Sequence, residues 1–434
     1  MFAEKVKQIE RYAQIAGIPD KVIDELREPK DICYTKIRPI INGKQESLLL
    51  IGVFHCNPYS TGARPFKGGL RYHPGVNLDL MKTLAHGMTE KEALALLPFG
   101  GAKFGVPIDP AKQTEDDLRD ITEKVAERLL LKNMLGPDIY VPGPDVGTNS
   151  TTMFWIYNKV AELNVLAKLP NVAAVVTGKP LDYDGCPGRE DATSRGLWIV
   201  LKEFLQLASL QLPSKPRIAI QGFGNVGMNL TKLTVDSDAE FDQFSNIAAV
   251  SDVNGGIFNG HGLDTQKVLD YYKNHKTFAG FPKEEADQIT NSELLLLPVD
   301  ILIPAAIENQ ITKENANKII APLICEAGNE AITPEAQSIL DDRGKIVIPG
   351  IAANSGGVVV SYLEWRRNRG ERRHIVDTAD DFEWVKKELK NIMMNVIIST
   401  YRTAAKYRTP LAHGAHIAAL ENISRQLLVK HSRL

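Results

Sequence analysis

The run at residues 217–230, RIAIQGFGNVGMNL, constrains the fold of this chain more than any other stretch. Its first residues have the apolar character of a buried strand, its last residues have that of a helix, and a GxGxxG pattern lies between them. Glycines at this spacing permit a tight turn and let the backbone approach phosphate groups at a helix N-terminus. We therefore predict a pyrophosphate-binding turn that consists of Gly222, Phe223, Gly224, Asn225, Val226 and Gly227.

Further strand-like runs follow this turn, and helical patterns separate them. They lie at residues 247–252, 299–306, 323–329 and 346–350. Strands that alternate with helices predict a parallel, doubly wound sheet. Asp252 ends the first of these runs, 25 residues after Gly227 (252 − 227). The acid that binds a ribose 2′-hydroxyl is expected about 20 residues after such a turn, so Asp252 is our candidate.

A second informative stretch, residues 66–105, contains three lysines. Lys67 precedes a glycine pair, Lys103 follows another, and glycine pairs allow close backbone approach to a ligand. Lys91 falls on a helical stripe with Leu84 and Met88, where a charge is costly unless it is paired. For Lys91 alone, a side chain that extends to water is an equal alternative. The three lysines together favour a site for an anionic ligand.

Asp145 lies in IYVPGPDVGTNS, between a predicted strand and a predicted helix. An aspartate at this position commonly caps the following helix, and considered alone Asp145 fits that role better than a catalytic one.

Composition excludes several classes of protein. The chain has 434 residues, of which 44% are hydrophobic and 24% charged, and a net charge of −2 argues against a nucleic-acid or anionic-membrane partner. The four cysteines form no CxxC motif, which suits a reducing compartment and suggests no metal site. The N-terminus lacks the apolar core of a signal peptide, so we expect a cytoplasmic protein.

Nine motifs, in order and correctly spaced, resemble those of the Glu/Leu/Phe/Val dehydrogenase family. Within that family the chain is most similar to the small hexameric glutamate dehydrogenases. The motifs are FKGGLRYHP, MTEKEA, LPFGGAK, VPGPDVGTN, TGKPL, GREDATSRG, GFGNVG, IPAAIENQIT and ANSGGVVVSYLEW.

The resemblance implies a role for each matched residue. Lys91 would bind the substrate α-carboxylate, Lys103 would activate water, and Asp145 would shuttle protons to and from the amino group. Lys67 and Ser361 would bind a distal carboxylate. Gly143 and Val358 would line the side-chain pocket. Arg189, Thr193 and Asn354 would lie near the nicotinamide, and residues 222–227 with Asp252 would hold the dinucleotide.

The resemblance also implies a two-domain α/β fold. Residues 1–184 would form an N-terminal α/β domain for substrate binding and oligomerisation, and residues 185–356 a Rossmann-like, doubly wound, dinucleotide-binding domain. The C-terminal helices at 357–434 would complete the first domain and pack back across the cleft. The expected assembly is a homohexamer, and the expected substrates are L-glutamate, 2-oxoglutarate and ammonium. No cation follows Asp252 in Val253 and Asn254, which favours NAD, with NADP as the alternative.

Several positions depart from the family pattern. Phe104 stands where a glycine is usual, Gly350 where an aspartate is usual, and Ser194 where a glycine is usual. They leave two further hypotheses open: a leucine-, valine- or phenylalanine-type dehydrogenase, and a non-catalytic dinucleotide-binding relative.

Overall fold

The computed structural model describes residues 1–59, 65–235, 240–371 and 378–431. The chain divides into two compact units. The first consists of Met1–Arg189, Val358–Lys387 and His416–Leu434, and the second of Glu190–Gly357 and Glu388–Ala415. Residues 388–415 thus pack with the second unit, whereas the sequence predicts the whole C-terminal region to complete the first. The functions assigned to the two domains stay predictions.

The first unit contains a five-stranded sheet in the order β1-β4-β6-β5-β7. Strands β6, β5 and β7 run parallel to one another, and β4 is antiparallel to both β1 and β6. Its elements, in chain order, are α1 (Phe2–Ala16), α2 (Asp20–Arg27), β1 (Asp31–Ile37), β2 (Ile40–Ile41), β3 (Lys44–Gln45), β4 (Leu48–Phe54), β5 (Phe66–Tyr72), α3 (Leu78–Leu94), β6 (Gly100–Val106), α4 (Glu115–Leu131), β7 (Tyr140–Pro144) and α5 (Ser150–Ala167).

The second unit contains a seven-stranded sheet in the order β11-β10-β9-β8-β12-β13-β14. Strands β9, β8, β12, β13 and β14 are parallel, and β10 and β11 extend one edge with antiparallel pairing. From β8 the chain passes first to β9 on one side and later to β12 on the other, which makes the sheet doubly wound and confirms the predicted fold class. Its elements are α6 (Ala192–Ala208), β8 (Ile218–Gln221), α7 (Asn225–Leu233), β9 (Ile247–Asp252), β10 (Gly255–Phe258), α8 (Thr265–His275), β11 (Asp287–Ile289), α9 (Asn291–Leu295), β12 (Ile301–Pro304), β13 (Leu323–Cys325), α10 (Pro334–Asp342), β14 (Ile346–Ile348) and α11 (Gly350–Ala353).

Three helices complete the chain, and residues of each belong to both units: α12 (Gly356–Asn368), α13 (Thr378–Tyr407) and α14 (Leu411–His431). Among the described residues, no helix combines the length and apolar character that a membrane span requires.

Candidate active site

Over β5, β6 and β7, one face of the first sheet carries polar side chains, and the other face is hydrophobic core. Successive side chains of a strand point to opposite faces, so the polar residues recur at every second position. Leu70, Tyr72, Phe104 and Tyr140 are buried in the core on one side. The other side carries Lys67, Gly69 and Arg71 from β5, Gly101 and Lys103 from β6, and Val141 and Gly143 from β7, with Asp145 just beyond.

Asp145 binds two buried cations on this polar face. Its Oδ1 accepts a hydrogen bond from Lys103 Nζ at 2.7 Å, and its Oδ2 accepts one from Arg71 Nε at 2.6 Å. Burial raises the pKa of the Asp145 carboxyl, but the charges and hydrogen bonds of Lys103 and Arg71 outweigh burial and hold that pKa well below its usual range. Asp145 is therefore an ionised acceptor at neutral pH.

The structure contradicts the alternative that Asp145 caps the next helix. The N-cap of α5 is Asn149, whose side chain accepts from the backbone N–H of Thr152. The backbone N–H of Asp145 donates instead to Thr148 Oγ1 at 2.8 Å, and this fixes the turn and leaves the carboxylate for Lys103 and Arg71.

Gly69 makes the contact between Asp145 and Lys103 possible. A Cβ atom at this position would lie 2.6 Å from the Asp145 Cβ and 3.2 Å from Lys103 Nζ. Any side chain here would force the two apart, so glycine is required by close approach and not by backbone conformation.

Lys67 is buried on the same face, with Nζ donating to the Val141 carbonyl at 3.2 Å. The same Nζ lies 3.2 Å from where a Cβ on Gly143 would be, so Gly143 makes room for it. Burial lowers the pKa of Lys67 to about 7. Glu92 and Glu364 raise that pKa and Arg189 and Lys179 lower it, but desolvation dominates. A bound anion beside Lys67 would therefore stabilise the charged form of its amine.

Lys91 lies on the apolar stripe of α3 that we predicted, but that stripe is not the most buried face of the helix. It is half-buried, as is Met88, whereas Ala85, Thr89 and Glu92 are fully buried. The stripe that contains Lys91 is therefore the more accessible one, so the amine need not be desolvated completely.

Ser361 and Val358 lie three residues apart on α12 and share a helix face with Glu364. Ser361 is buried, and Glu364 forms a fully buried ion pair with Lys179, Oε1 to Nζ 2.7 Å. The charge of Glu364 raises the pKa of Lys67. Ser361 therefore lies one helical turn from a residue that interacts electrostatically with Lys67. Its role in binding a distal carboxylate stays a prediction.

Sequence reasoning missed Arg71, Glu92, Thr177, Lys179 and Glu364. Arg71 had a detectable signal, because it is two residues from Gly69 and four from Lys67 on one strand and so shares their face. The other four lie within the motifs MTEKEA, TGKPL and ANSGGVVVSYLEW, but they come together only through the packing of segments distant in sequence, which no local pattern predicts.

In the second unit, the predicted glycine turn connects β8 to α7. Gly222 has φ = +94°, a conformation that favours glycine. A Cβ on Gly222 would lie 2.9 Å from the Ala305 carbonyl, and one on Gly227 would lie 1.9 Å from the Gly222 carbonyl oxygen. Gly224 is exposed with open space where its Cβ would be. The turn thus forms an open cradle at a helix N-terminus, which fits a pyrophosphate.

The remaining residues of this turn have separate structural roles. Phe223 is buried, with ring centroids 4.9 Å from Tyr272 and 5.0 Å from Phe278, so any cofactor contact must come from its backbone. The exposed Asn225 donates from Nδ2 to the Glu190 carbonyl, and the Val226 carbonyl accepts from Ser194 Oγ at 2.9 Å. Ser194 therefore anchors the turn.

Asp252 lies at the carboxyl end of β9, beside β8. Its Oδ1 accepts from the Asn254 N–H at 2.7 Å and its Oδ2 from the Phe278 N–H at 2.8 Å. The carboxylate is thus fixed by its own chain, and a ribose contact would use its remaining lone pairs.

Of the three residues predicted near the nicotinamide, Arg189 belongs to the first unit, and Thr193 and Asn354 belong to the second. Arg189 is half-buried with a buried Nε that has no partner among the described residues, and Asn354 Oδ1 is in the same condition. Buried polar atoms without protein partners are uncommon and are commonly satisfied by a bound water, ion or ligand. The roles of all three residues stay predictions.

Two departures from the family pattern are accommodated structurally. Phe104 points away from Lys103 into the core, where it stacks on Tyr140 and fills the space above Gly52. At Gly350, the Glu326 carboxylate accepts the backbone N–H at 2.6 Å, and a Cβ would lie 3.1 Å from it. An aspartate at position 350 would bring a second negative charge to this point.

Comparisons with known proteins define the family. Residues 185–430 match the Glutamate/Leucine/Phenylalanine/Valine dehydrogenase model, and residues 53–162 match the model of the Glu/Leu/Phe/Val dehydrogenase dimerisation domain. The chain therefore belongs to the Glu/Leu/Phe/Val dehydrogenase family, which is a family of amino-acid dehydrogenases.

Several of the individual proteins that the chain resembles are glutamate dehydrogenases. The chain is 35% identical to the glutamate dehydrogenase of Thermotoga maritima, with 98% of this chain and 96% of that protein covered. It is 34% identical to the NADP-specific glutamate dehydrogenase of Synechocystis, with 100% and 98% covered. It is 33% identical to the catabolic NAD-specific glutamate dehydrogenase of Bacillus subtilis, with 93% and 89% covered. A hetero-hexameric glutamate dehydrogenase from Thermus thermophilus, in a leucine-bound form, has a TM-score of 0.87 at 27% identity, with 99% and 96% covered.

Proposed function

We infer that this chain is an NAD(P)-dependent glutamate dehydrogenase. In this reaction L-glutamate, water and the oxidised cofactor give 2-oxoglutarate, ammonium, a proton and the reduced cofactor, reversibly. The observation that carries the assignment is Lys67, a buried amine on the polar face of the first sheet; burial lowers its pKa to about 7, and a substrate carboxylate beside it would favour the charged form.

The polar face of the first sheet supplies the acid–base groups. The nicotinamide, when bound, accepts the hydride from the substrate α-carbon. In our proposal, Lys103 takes a proton from the water that attacks the imine carbon, and Asp145 exchanges protons with the amino group. Their 2.7 Å contact lets a proton pass between them, and Arg71 holds the carboxylate in place.

The substrate side chain is selected by charge. Lys67 and Ser361 would bind the distal carboxylate, Lys91 the α-carboxylate, and Gly143 and Val358 would line the pocket between them. A leucine side chain would leave the buried Lys67 without an acceptor in the ligand, which disfavours the branched-chain alternative.

For the cofactor we propose NAD in preference to NADP. The glycine cradle at residues 222–227 would hold the pyrophosphate, and Asp252 would accept from a ribose hydroxyl. Val253, which follows Asp252, is 92% exposed and offers no cation for a 2′-phosphate. A ratio of kcat/KM values for NADH over NADPH above ten would support this preference, and a ratio below one would refute it.

We propose a homohexamer in the cytoplasm. The match to a dimerisation domain supports oligomerisation, and the Thermus thermophilus relative is described as hetero-hexameric. Four buried, unbridged thiols suit a reducing compartment. Light scattering of purified protein should give six times 47.9 kDa, about 287 kDa.

The catalytic assignment is tested by glutamate-dependent reduction of NAD⁺ or NADP⁺ in two variants. Lys103→Ala should lower kcat by at least about 10³-fold, because it removes the proposed base and the partner of Asp145. Lys112→Ala is the matched control, since its side chain is 79% exposed, and it should retain wild-type turnover. Comparable turnover in the two variants would exclude Lys103 as the base.

A further inference from the structure

The acidic residue Glu92 of helix α3 is directed toward the sheet face that carries Lys67. Ala85, Thr89 and Glu92 are spaced as one helix face. That face packs on β6, because a Cβ on Gly101 would lie 2.3 Å from the Thr89 nitrogen and 2.4 Å from the Ala85 carbonyl oxygen. Lys67 is the register partner of Gly101 on the neighbouring strand. Glu92, one turn beyond Thr89, is thus directed toward Lys67.

The Glu92 carboxyl is buried and makes no hydrogen bond to the described residues. It is 0% exposed, and neither of its oxygens has a partner within the described part of the chain. Burial raises its pKa to about 8, although Lys67 and Lys91 lower it. The group is therefore mostly protonated at neutral pH, and its O–H has no acceptor among the residues that the structure describes.

One further group that is unsatisfied among the described residues, the Thr177 hydroxyl, lies beside Lys67. The Thr177 hydroxyl is fully buried and without a partner in the described residues. The point where a Cβ on Gly143 would be lies 3.4 Å from Thr177 Oγ1 and 3.2 Å from Lys67 Nζ, so the two groups are neighbours. A carboxylate placed here would accept from the ammonium and the hydroxyl together.

We propose that Glu92 is a specificity-determining residue of the pocket around Lys67, which binds a dicarboxylate substrate only when Glu92 is protonated. This rests on the proposed function, since it takes the pocket to receive the distal carboxylate of glutamate or 2-oxoglutarate. An ionised Glu92 competes with that carboxylate for Lys67 and repels it, whereas the protonated form donates to it.

Two protons thus control dicarboxylate binding. The charged groups that act on Glu92 are Lys67 from β5 and Lys91 from its own helix, and those that act on Lys67 are Glu92, Arg189, Glu364 and Lys179. Between about pH 7 and 9 the pocket loses one proton from Lys67 and one from Glu92. The slope of log KM for 2-oxoglutarate against pH should therefore approach two in the wild-type protein.

Glu92→Gln tests this inference because the amide imitates the protonated carboxyl in shape and cannot ionise. We expect its KM to match wild type near pH 6, its log KM slope to fall to one or less, and its KM at pH 9 to be about tenfold lower than wild type. The control substrate is 2-oxopentanoate, which lacks the distal carboxylate, and its KM should show no difference in slope between the two proteins.

Proton uptake on 2-oxoglutarate binding gives a second measurement that needs no variant. Calorimetry of wild-type protein near pH 8.5, in buffers with different ionisation enthalpies, should show uptake of more than one proton, and uptake of one or less would overturn the proposal. Parallel KM profiles of wild type and Glu92→Gln, with turnover intact, would overturn this inference alone. Absence of both turnover and binding with 2-oxoglutarate would overturn the proposed function as well.

Discussion

Replacing Lys67 with methionine should stabilise the protein while removing its use of dicarboxylates. Methionine keeps the length and apolar stem of lysine and fits a site that is 2% exposed. The folded-state pKa of Lys67, about 7, lies below the unfolded value of 10.5. The unfolded chain therefore binds the proton more tightly, and the lysine destabilises the fold fully below about pH 7 and progressively less toward pH 10.5.

The magnitude follows from that shift. At pH 7 the difference of 3.5 pKa units (10.5 − 7) corresponds to roughly 4 kcal/mol, because the group is half-protonated in the folded state. The variant loses the hydrogen bond to the Val141 carbonyl, worth about 1 kcal/mol. We expect Lys67→Met to be more stable by about 3 kcal/mol at pH 7 and by about 1 kcal/mol at pH 9.

The same variant should lose its catalytic efficiency toward 2-oxoglutarate. Loss of a charge-assisted hydrogen bond to the distal carboxylate costs about 3 kcal/mol, or roughly 10²-fold in kcat/KM for 2-oxoglutarate. For 2-oxopentanoate the change should be less than about threefold, because that substrate makes no such bond. Denaturant unfolding at the two pH values and kinetics with both oxoacids measure the two effects. A variant that is less stable at pH 7, and equally impaired toward both substrates, would show that Lys67 neither destabilises the fold nor selects the substrate side chain.

Three other substitutions test separate parts of the account. Asp145→Asn should lower kcat by about 10²- to 10⁴-fold, because Lys103 loses its carboxylate partner, and a single-turnover assay that shows unchanged chemistry would exclude this role. Gly227→Ala should weaken NADH binding at least about tenfold, since its Cβ would lie 1.9 Å from the Gly222 carbonyl oxygen, and fluorescence titration measures this. Burial lowers the pKa of His55 well below its ordinary value, so protonation favours the unfolded chain, and wild-type stability should fall below about pH 6.5. In His55→Gln this fall should be shallower by up to about 1.4 kcal/mol per pH unit, and identical pH profiles of thermal unfolding would contradict it.

The sequence predicts the second unit well because local patterns specify it. The glycines at 222 and 227 are required by a positive φ and by a close backbone contact, which a spacing rule captures without knowledge of the rest of the chain. The doubly wound sheet follows from the alternation of strands and helices for the same reason.

The surroundings of the site are less predictable, because they depend on packing between distant segments. Glu92 and Thr177 reach the neighbourhood of Lys67 from a helix and a loop that are 85 residues apart (177 − 92). A single sequence contains no signal that joins them. The prediction for Lys91 was imprecise for another reason. Helix α3 is buried around much of its circumference, so its apolar stripe did not identify the most buried face.

Phe104 shows why a departure from a family pattern need not affect the chemistry. On a strand, its side chain points to the face opposite Lys103, and only the pairing of β6 with β4 reveals that Gly52 leaves room for the ring. The sequence identified the substitution, but the register of the sheet decides its consequence.

Reductive amination shows whether this protein is a glutamate dehydrogenase. Purified wild-type protein would be mixed with ammonium, NADH or NADPH, and either 2-oxoglutarate or 4-methyl-2-oxopentanoate, and oxidation of the cofactor would be followed with L-glutamate formation. We predict ammonium-dependent oxidation with 2-oxoglutarate, at least about 10²-fold more efficient than with the branched oxoacid, and one glutamate formed per cofactor oxidised. Preference for the branched acid would mean that Lys67 does not select the side chain. No oxidation with either acid, from folded protein that still binds NADH, would contradict the assignment as an enzyme.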